Sequence, residues 1–113
     1  MHEMTLTSSI LDLLQTQARQ QHFSMVKRIR LEVGALVHFE PEALQFNFNL
    51  ASRGTLAEGA VLEIVIQPGR AWCPACEREV AMSTHLEPCP ECGTEQLRVI
   101  SGDQFHIKEL EVA

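Results

Sequence analysis

The sequence predicts an α+β fold: two helices on a β-sheet, with a small ribbon-like insert built around four cysteines. Three observations carry this. Residues 5–22 and 41–53 hold helical signals. Residues 25–33, 61–67, 97–100 and 105–112 read as strands. Cys73, Cys76, Cys89 and Cys92 form two Cys-x-x-Cys pairs with twelve residues between them. A chain of 113 residues should hold one principal domain with a small appendage. Hydrophobic residues make up 45%, enough for a core, and with no Tyr and one Trp that core must be aliphatic and Phe-based.

The first helix rests on Leu6, Ile10, Leu13, Leu14 and Ala18, which follow the spacing of one buried stripe. Asp12, Gln15, Arg19 and Gln20 lie largely off it. The strand at 25–33 places Met25, Ile29, Leu31 and Val33 on one parity and Arg28, Arg30 and Glu32 on the other. Lys27 breaks the apolar face, and Gly34 ends the strand. The next segment is ambiguous, because residues 44–50 alternate like a strand. Pro41 at a first helical turn, Glu40 and Glu42 at its positive end, and Arg53-Gly54 as a basic last turn and cap favour a helix over 41–53.

In the strand at 61–67, Leu62, Ile64 and Ile66 share a face, and Pro68-Gly69 ends the pattern. Residues 70–94 are rich in Cys, Pro, Glu and Gly and show no sustained apolar period, so a metal is expected to organise them. Two closing strands flank the turn Ser101-Gly102-Asp103. The apolar parity changes between Ile107 and Leu110, which predicts a bulge or an early end.

Each Cys-x-x-Cys turn presents two sulfurs to one ion, and two facing turns complete a tetrahedral set. Gly93 can take the positive φ that follows such a turn. A closed four-sulfur site stabilises rather than catalyses, and zinc is the expected occupant. Iron in an electron-transfer cage is the rival, because sulfur ligands alone do not separate the two. Stable disulfides are disfavoured in a cytoplasmic chain, and redox pairs of the thioredoxin type need a βαβ context that is missing. His85, between the two pairs, is either an exposed loop residue or a partner of a thiolate.

Net charge is −6 and the only basic cluster, Lys27, Arg28 and Arg30, falls inside a strand as a solvated face. Nucleic-acid binding is therefore not expected. No apolar run reaches the length of a membrane span, and His2 and Glu3 stand where the basic region of a secretory leader would lie. A cytoplasmic protein without membrane contact is expected. Metal cations and protein partners suit an acidic surface better. Catalysis is not expected, since neither a nucleophile–base pair nor a phosphate loop is visible.

The start of the chain is a second ligand set. The Met1 amine, the His2 amide and the His2 imidazole can close successive chelate rings, with Glu3 as a source of the fourth donor. Planar nitrogen donors favour nickel(II) or copper(II) over zinc. The amine and imidazole must lose protons to bind, so affinity should fall in acid. Taken alone, a histidine at position two is commonly incidental. Glu40 is a candidate extra ligand, with support of a helix N-terminus as its alternative role. His38 reads as a surface loop residue, and His22 and His106 as structural.

Several stretches together resemble the HypA/HybF family of hydrogenase nickel incorporation proteins, over essentially the whole chain. They are Met1-His2-Glu3-Met4-Thr5-Leu6, Leu31-Glu32-Val33-Gly34-Ala35-Leu36, Arg53-Gly54-Thr55, Ala71-Trp72-Cys73-Pro74-Ala75-Cys76, Cys89-Pro90-Glu91-Cys92 and Ser101-Gly102-Asp103. The resemblance implies a nickel metallochaperone with an α+β nickel-binding domain, residues 1–69 and 96–113, and an inserted zinc-ribbon-like domain, residues 70–95. It implies Ni2+ on Met1, His2 and Glu3, with Glu40 as an auxiliary ligand, and Zn2+ on Cys73, Cys76, Cys89 and Cys92. It further implies delivery to the large subunit of [NiFe] hydrogenase and a HypB-type GTPase as partner. Exposed strand edges or the insert are the candidate surfaces for a homodimer. The competing reading is a zinc-ribbon adaptor or nucleic-acid-binding module whose N-terminus has no nickel role.

Overall fold

In the computed structural model the described backbone runs from Glu3 to Ala113, and the described side chains begin at Met4. The elements are α1 (Glu3–Gln21), β1 (Val26–Gly34), α2 (Pro41–Ala51), β2 (Val61–Gln67), β3 (Gly69–Cys73), β4 (Arg78–Met82), β5 (Arg98–Ser101) and β6 (Phe105–Val112). They form two three-stranded sheets, ordered β2-β1-β6 and β4-β3-β5. The expected α+β class holds, with both helices present. The chain separates into two compact units, residues 1–31, 38–64 and 107–113 in one and 32–37 and 65–106 in the other.

The first unit contains both helices, which pack against each other. Leu6, Ile10 and Leu14 of α1 are fully buried, as are Leu44 and Phe48 of α2. Val26, Ile29 and Leu31 of β1 add to the buried set, with Ala57, Ala60 and Leu62. Leu13 departs from the expected stripe and is 42% exposed. Buried Thr7 and half-buried Leu11 and Ala18 turn the stripe toward the 7-11-14-18 side, away from position 13. The helix stops at Gln21 because His22 adopts φ 59, the left-handed conformation that ends a helix.

In β1 the inward residue at the start is Val26, and Met25 is exposed. Lys27 and Arg28 then both face solvent, and burial resumes at Ile29, which explains the broken parity of the sequence. The two arginines of the basic cluster are paired as well as solvated. Arg28 reaches Glu63 of β2 at 2.8 Å, while Arg30 reaches Glu63 at 3.3 Å and Glu109 of β6 at 3.6 Å. Hydrogen bonding to Arg28 holds the Glu63 carboxyl below its ordinary value.

The helix reading of residues 41–53 is correct in kind but two residues long. Pro41 occupies the first turn, and Glu40 is the N-cap, its carboxylate accepting from the Glu42 amide at 3.4 Å. The helix ends at Ala51, with Ser52 as its cap and with no basic residue in the last turn. The buried Ser52 donates its hydroxyl to the Asn49 carbonyl at 3.3 Å. Gly54 does take a positive φ of 75, in the loop beyond. There Thr55 ties residues 52–57 together, donating to the Ser52 carbonyl at 2.6 Å and accepting from the Ala57 amide at 3.2 Å.

The second unit departs most from expectation. Residues 69–82 are two paired strands, not an irregular stretch. β3 pairs antiparallel with β4, from Gly69 opposite Met82 to Cys73 opposite Arg78, and with β5 on its other side. Burial alternates along β3, and Val80 and Met82 face inward from β4. With Leu36, Ala71, Cys73 and Cys89 they form a small core, flanked by Cys76, Leu97 and Val99. The alternation is hidden in the sequence because cysteine and alanine stand where valine or isoleucine would reveal it.

Three glycines fix the path of the chain beside this core. A Cβ on Gly34 would overlap the Gly102 carbonyl. One on Gly102, which has φ +92, would sit 2.5 Å from the Gly69 Cα and 2.9 Å from the Pro68 oxygen. This close approach permits three backbone bonds: Gly34 to Gln104 at 2.8 Å, Ala35 to Gln67 at 2.7 Å and Leu36 to Gly102 at 2.8 Å.

Candidate metal centre

The end of β3 delivers Cys73, and the turn that follows delivers Cys76 before β4 begins at Arg78. The second pair lies between β4 and β5, on a turn closed by the Cys89 amide on the Thr94 carbonyl at 2.8 Å and the Gly93 amide on the Cys89 carbonyl at 2.9 Å. Gly93 has φ 79, as its sequence position predicted. The equivalent place after the first pair is filled by Glu77, with φ 52. The two turns share a left-handed step, but only one uses the residue type that takes it without strain.

The four sulfurs converge. All lie within 4.8 Å of one another, and all four cysteines are free thiols rather than disulfides. Cys73 and Cys92 Sγ are 3.6 Å apart, and Cys76 and Cys89 Sγ 4.0 Å. A tetrahedron of Zn–S bonds of about 2.3 Å has edges of roughly 3.8 Å, so these separations suit one tetrahedral ion. Backbone amides support the cage: Cys76 N–H points at Cys73 Sγ at 3.3 Å, and Glu91 N–H at Cys89 Sγ at 3.4 Å. Cys73 and Cys89 are buried, Cys76 is half-buried and Cys92 is exposed.

The thiols do not ionise alike. Hydrogen bonding to Cys92, then to Cys73, pushes Cys76 up to about 12. Burial acts to raise Cys89, but the Cys92 backbone and the neighbouring thiols outweigh it and hold Cys89 below its ordinary value. A divalent cation is what allows four such sulfurs to carry thiolate charge together.

Outside the cage the expected ligands fare differently. Met1 and His2 lie outside the described residues, as does the Glu3 side chain, and Glu3 contributes the first residue of α1. Glu40 is the α2 N-cap described above, so the capping role set beside the ligand role is real. His38 is exposed in the loop before α2, and His85 is exposed in the loop between β4 and the second cysteine pair. Among the described residues, the side chains grouped to hold an ion are the four cysteines, without His85. In the His85 loop the Glu87 carboxylate accepts from the Ser83 and Thr84 amides at 2.6 and 3.2 Å. Leu86 is left 94% exposed at φ 65. Sequence reading also missed the ion pair from Arg78, just past the first cysteine turn, to Glu91 inside the second. Only the equal two-residue offset of each from Cys76 and Cys89 hinted at it.

The architecture so far defines a small α+β metal-binding protein with a four-thiolate centre. Comparison with known proteins narrows this. Residues 1–112 match the family model described as "HypA: Hydrogenase/urease nickel incorporation, metallochaperone, hypA". The chain belongs to the HypA family of nickel metallochaperones, and it is a metal carrier rather than an enzyme. It is similar to the hydrogenase maturation factor HypA of Rhodopseudomonas palustris (strain BisA53), 47% identical over 112 residues covering 99% of both chains. It is also similar to that of Alkalilimnicola ehrlichii, 50% identical over the same share of both chains. The solution structure of the Ni metallochaperone HypA from Helicobacter pylori has the same fold, with TM-score 0.76 and 19% identity over 99% of this chain and 97% of that one.

Proposed function

We propose that this nickel metallochaperone of [NiFe] hydrogenase maturation keeps two metals on two unlike ligand sets. Zinc is the resident ion, held by Cys73, Cys76, Cys89 and Cys92. Nickel(II) is the cargo, held by the Met1 amine, His2 and Glu3, with Glu40 as an auxiliary ligand. The observation that carries this is the closure of the four-sulfur centre. A site whose four positions are filled by protein has none to offer in ligand exchange, so a transferable ion needs another home. The nitrogen-rich start of the chain is a set suited to nickel.

The zinc supplies structure, joining two cysteine turns that share a small core. We assign it to the segment 70–95, which lies inside the compact unit of residues 32–37 and 65–106, and assign nickel handling to 1–69 and 96–113. The α1 helix begins at Glu3, so the first residues adjoin a folded element whose inner face is fixed by Leu6 and Ile10. Release then follows from displacement of a short terminal segment when a partner docks, with nickel passing by ligand exchange.

The proposed partners are the hydrogenase large subunit as acceptor and a HypB-type GTPase as the source of any nucleotide-driven step. No helix of the described residues is long and apolar enough to cross a membrane. A cytoplasmic site of action, without membrane or nucleic-acid binding, is part of the proposal. The adaptor reading with no nickel role is set aside by the family match from residue 1 to 112. The test is maturation of hydrogenase in cells at limiting nickel. His2→Ala should abolish activity that added nickel partly restores; normal maturation by this variant would contradict the ligand assignment.

A further inference from the structure

We infer that Arg78 and Glu91 form a clamp across the metal centre that sets how fast zinc leaves it. The inference rests on the zinc reading above. Each residue sits two positions after a cysteine, Arg78 after Cys76 and Glu91 after Cys89, and their side chains form an ion pair. The pair therefore runs directly from one cysteine turn to the other.

Its placement gives it leverage on both halves of the cage. Arg78 stands opposite Cys73 at the last register position of the β3–β4 pairing. It also follows Glu77, whose left-handed φ of 52 ends the first turn. Glu91 lies inside the second turn, where its backbone N–H supports Cys89 Sγ at 3.4 Å. Holding the Glu91 side chain thus also holds the amide that stabilises a ligand sulfur. The second turn belongs to a segment between β4 and β5 that has no strand of its own, so a fixed point on β4 limits its opening.

Charge acts in the same direction. Four thiolates around a divalent cation leave a net negative centre, and the cationic Arg78, two residues past Cys76 and in register with Cys73, offsets part of that charge. Glu91 keeps Arg78 in place. Both side chains are well exposed, at 59% and 40%, so salt should screen the clamp. Opening of the second turn is the step that lets a competing chelator reach zinc, and the clamp opposes it.

The experiment measures zinc transfer from the full-length protein to excess chromogenic chelator at neutral pH, after metal analysis has established the starting content. Arg78→Gln and Glu91→Gln should each release zinc roughly three- to tenfold faster than wild type. The double variant Arg78→Glu with Glu91→Arg should return the rate to within about twofold of wild type. Arg70→Gln removes an equal charge from the same sheet, at the 3.6 Å pair with Glu79, and should leave the rate unchanged. The advantage of wild type should shrink at about 1 M salt, where the Debye length is near 3 Å. Unchanged rates in both single variants, equal acceleration in Arg70→Gln, or no recovery in the charge swap would overturn the clamp. A wild-type protein that contains and binds no zinc would overturn the metal assignment itself, and the clamp with it.

Discussion

The two compact units bury very different material. The helical unit closes over Leu6, Ile10, Leu14, Val26, Ile29, Leu31, Leu44 and Phe48, all large and all fully or almost fully inaccessible. The cysteine unit closes over Leu36, Ala71, Val80 and Met82, with Cys73 and Cys89 completing its core. One has enough apolar surface to fold on the hydrophobic effect. The other is small and depends on two of its metal ligands to count as core at all. The comparison teaches that the four-sulfur centre substitutes for side-chain volume, so metal and fold should fail together in one unit and not in the other.

Two probes separate the units without any label. Both helices lie in the first, and the single tryptophan, Trp72, lies in the second beside Cys73. Stripping the metal, or Cys73→Ser, should change Trp72 fluorescence strongly while most helical circular dichroism at 222 nm persists. Apparent metal-coupled stabilisation at such sites is about 10–16 kcal/mol, so this is the largest effect expected. Joint loss of both signals would break the comparison. Phe48→Ala is its mirror image: a fully buried Phe lost from the helical unit should cost about 3–5 kcal/mol in the helical transition. Zinc content should be untouched.

Smaller effects sharpen the picture. Gly34→Ala places a methyl on the Gly102 carbonyl, and overpacking of this kind costs roughly 1–3 kcal/mol or more. It should loosen the cysteine unit, read as faster amide exchange at Leu36. The smallest effect is on the charged face of the three-stranded sheet. Arg28 holds the folded-state Glu63 carboxyl below its ordinary value. A depressed carboxyl contributes stability above its unfolded value and loses it as pH falls through the folded one. Glu63→Gln should therefore lower stability slightly at neutral pH, and the difference from wild type should vanish as pH falls through the folded-state value, which flattens the acid limb. An NMR titration of Glu63 at or above the ordinary carboxylate range would contradict the pairing.

How much of this the sequence disclosed follows from the same contrast. In the helical unit large apolar residues announce themselves by period. The bounds of β2 and β6 were also legible, although the parity change between Ile107 and Leu110 does not end β6, which runs on to Val112. Leu13 was misplaced because it and Leu14 are equivalent by type, and only packing chooses between them. The end of α2 was overshot because Arg53-Gly54 is a familiar stop, whereas Ser52 caps through a carbonyl bond that no pattern displays. In the cysteine unit β3 and β4 were missed because their inward residues include Ala71 and Cys73. The cysteine cage itself was fully legible, since ligand spacing is written in the chain. The Arg78–Glu91 pair was not, because it depends on how two turns face each other.

The central claim is that two unlike ligand sets hold two metals. Its most direct test is a nickel titration of untagged protein, with metal analysis before and after. His2→Ala and a version with one residue added before Met1 run beside it. The account predicts that wild type binds one nickel, that both variants lose it, and that one zinc per chain stays in place throughout. Nickel binding that is equal in all three proteins, or nickel that displaces the zinc, would contradict it.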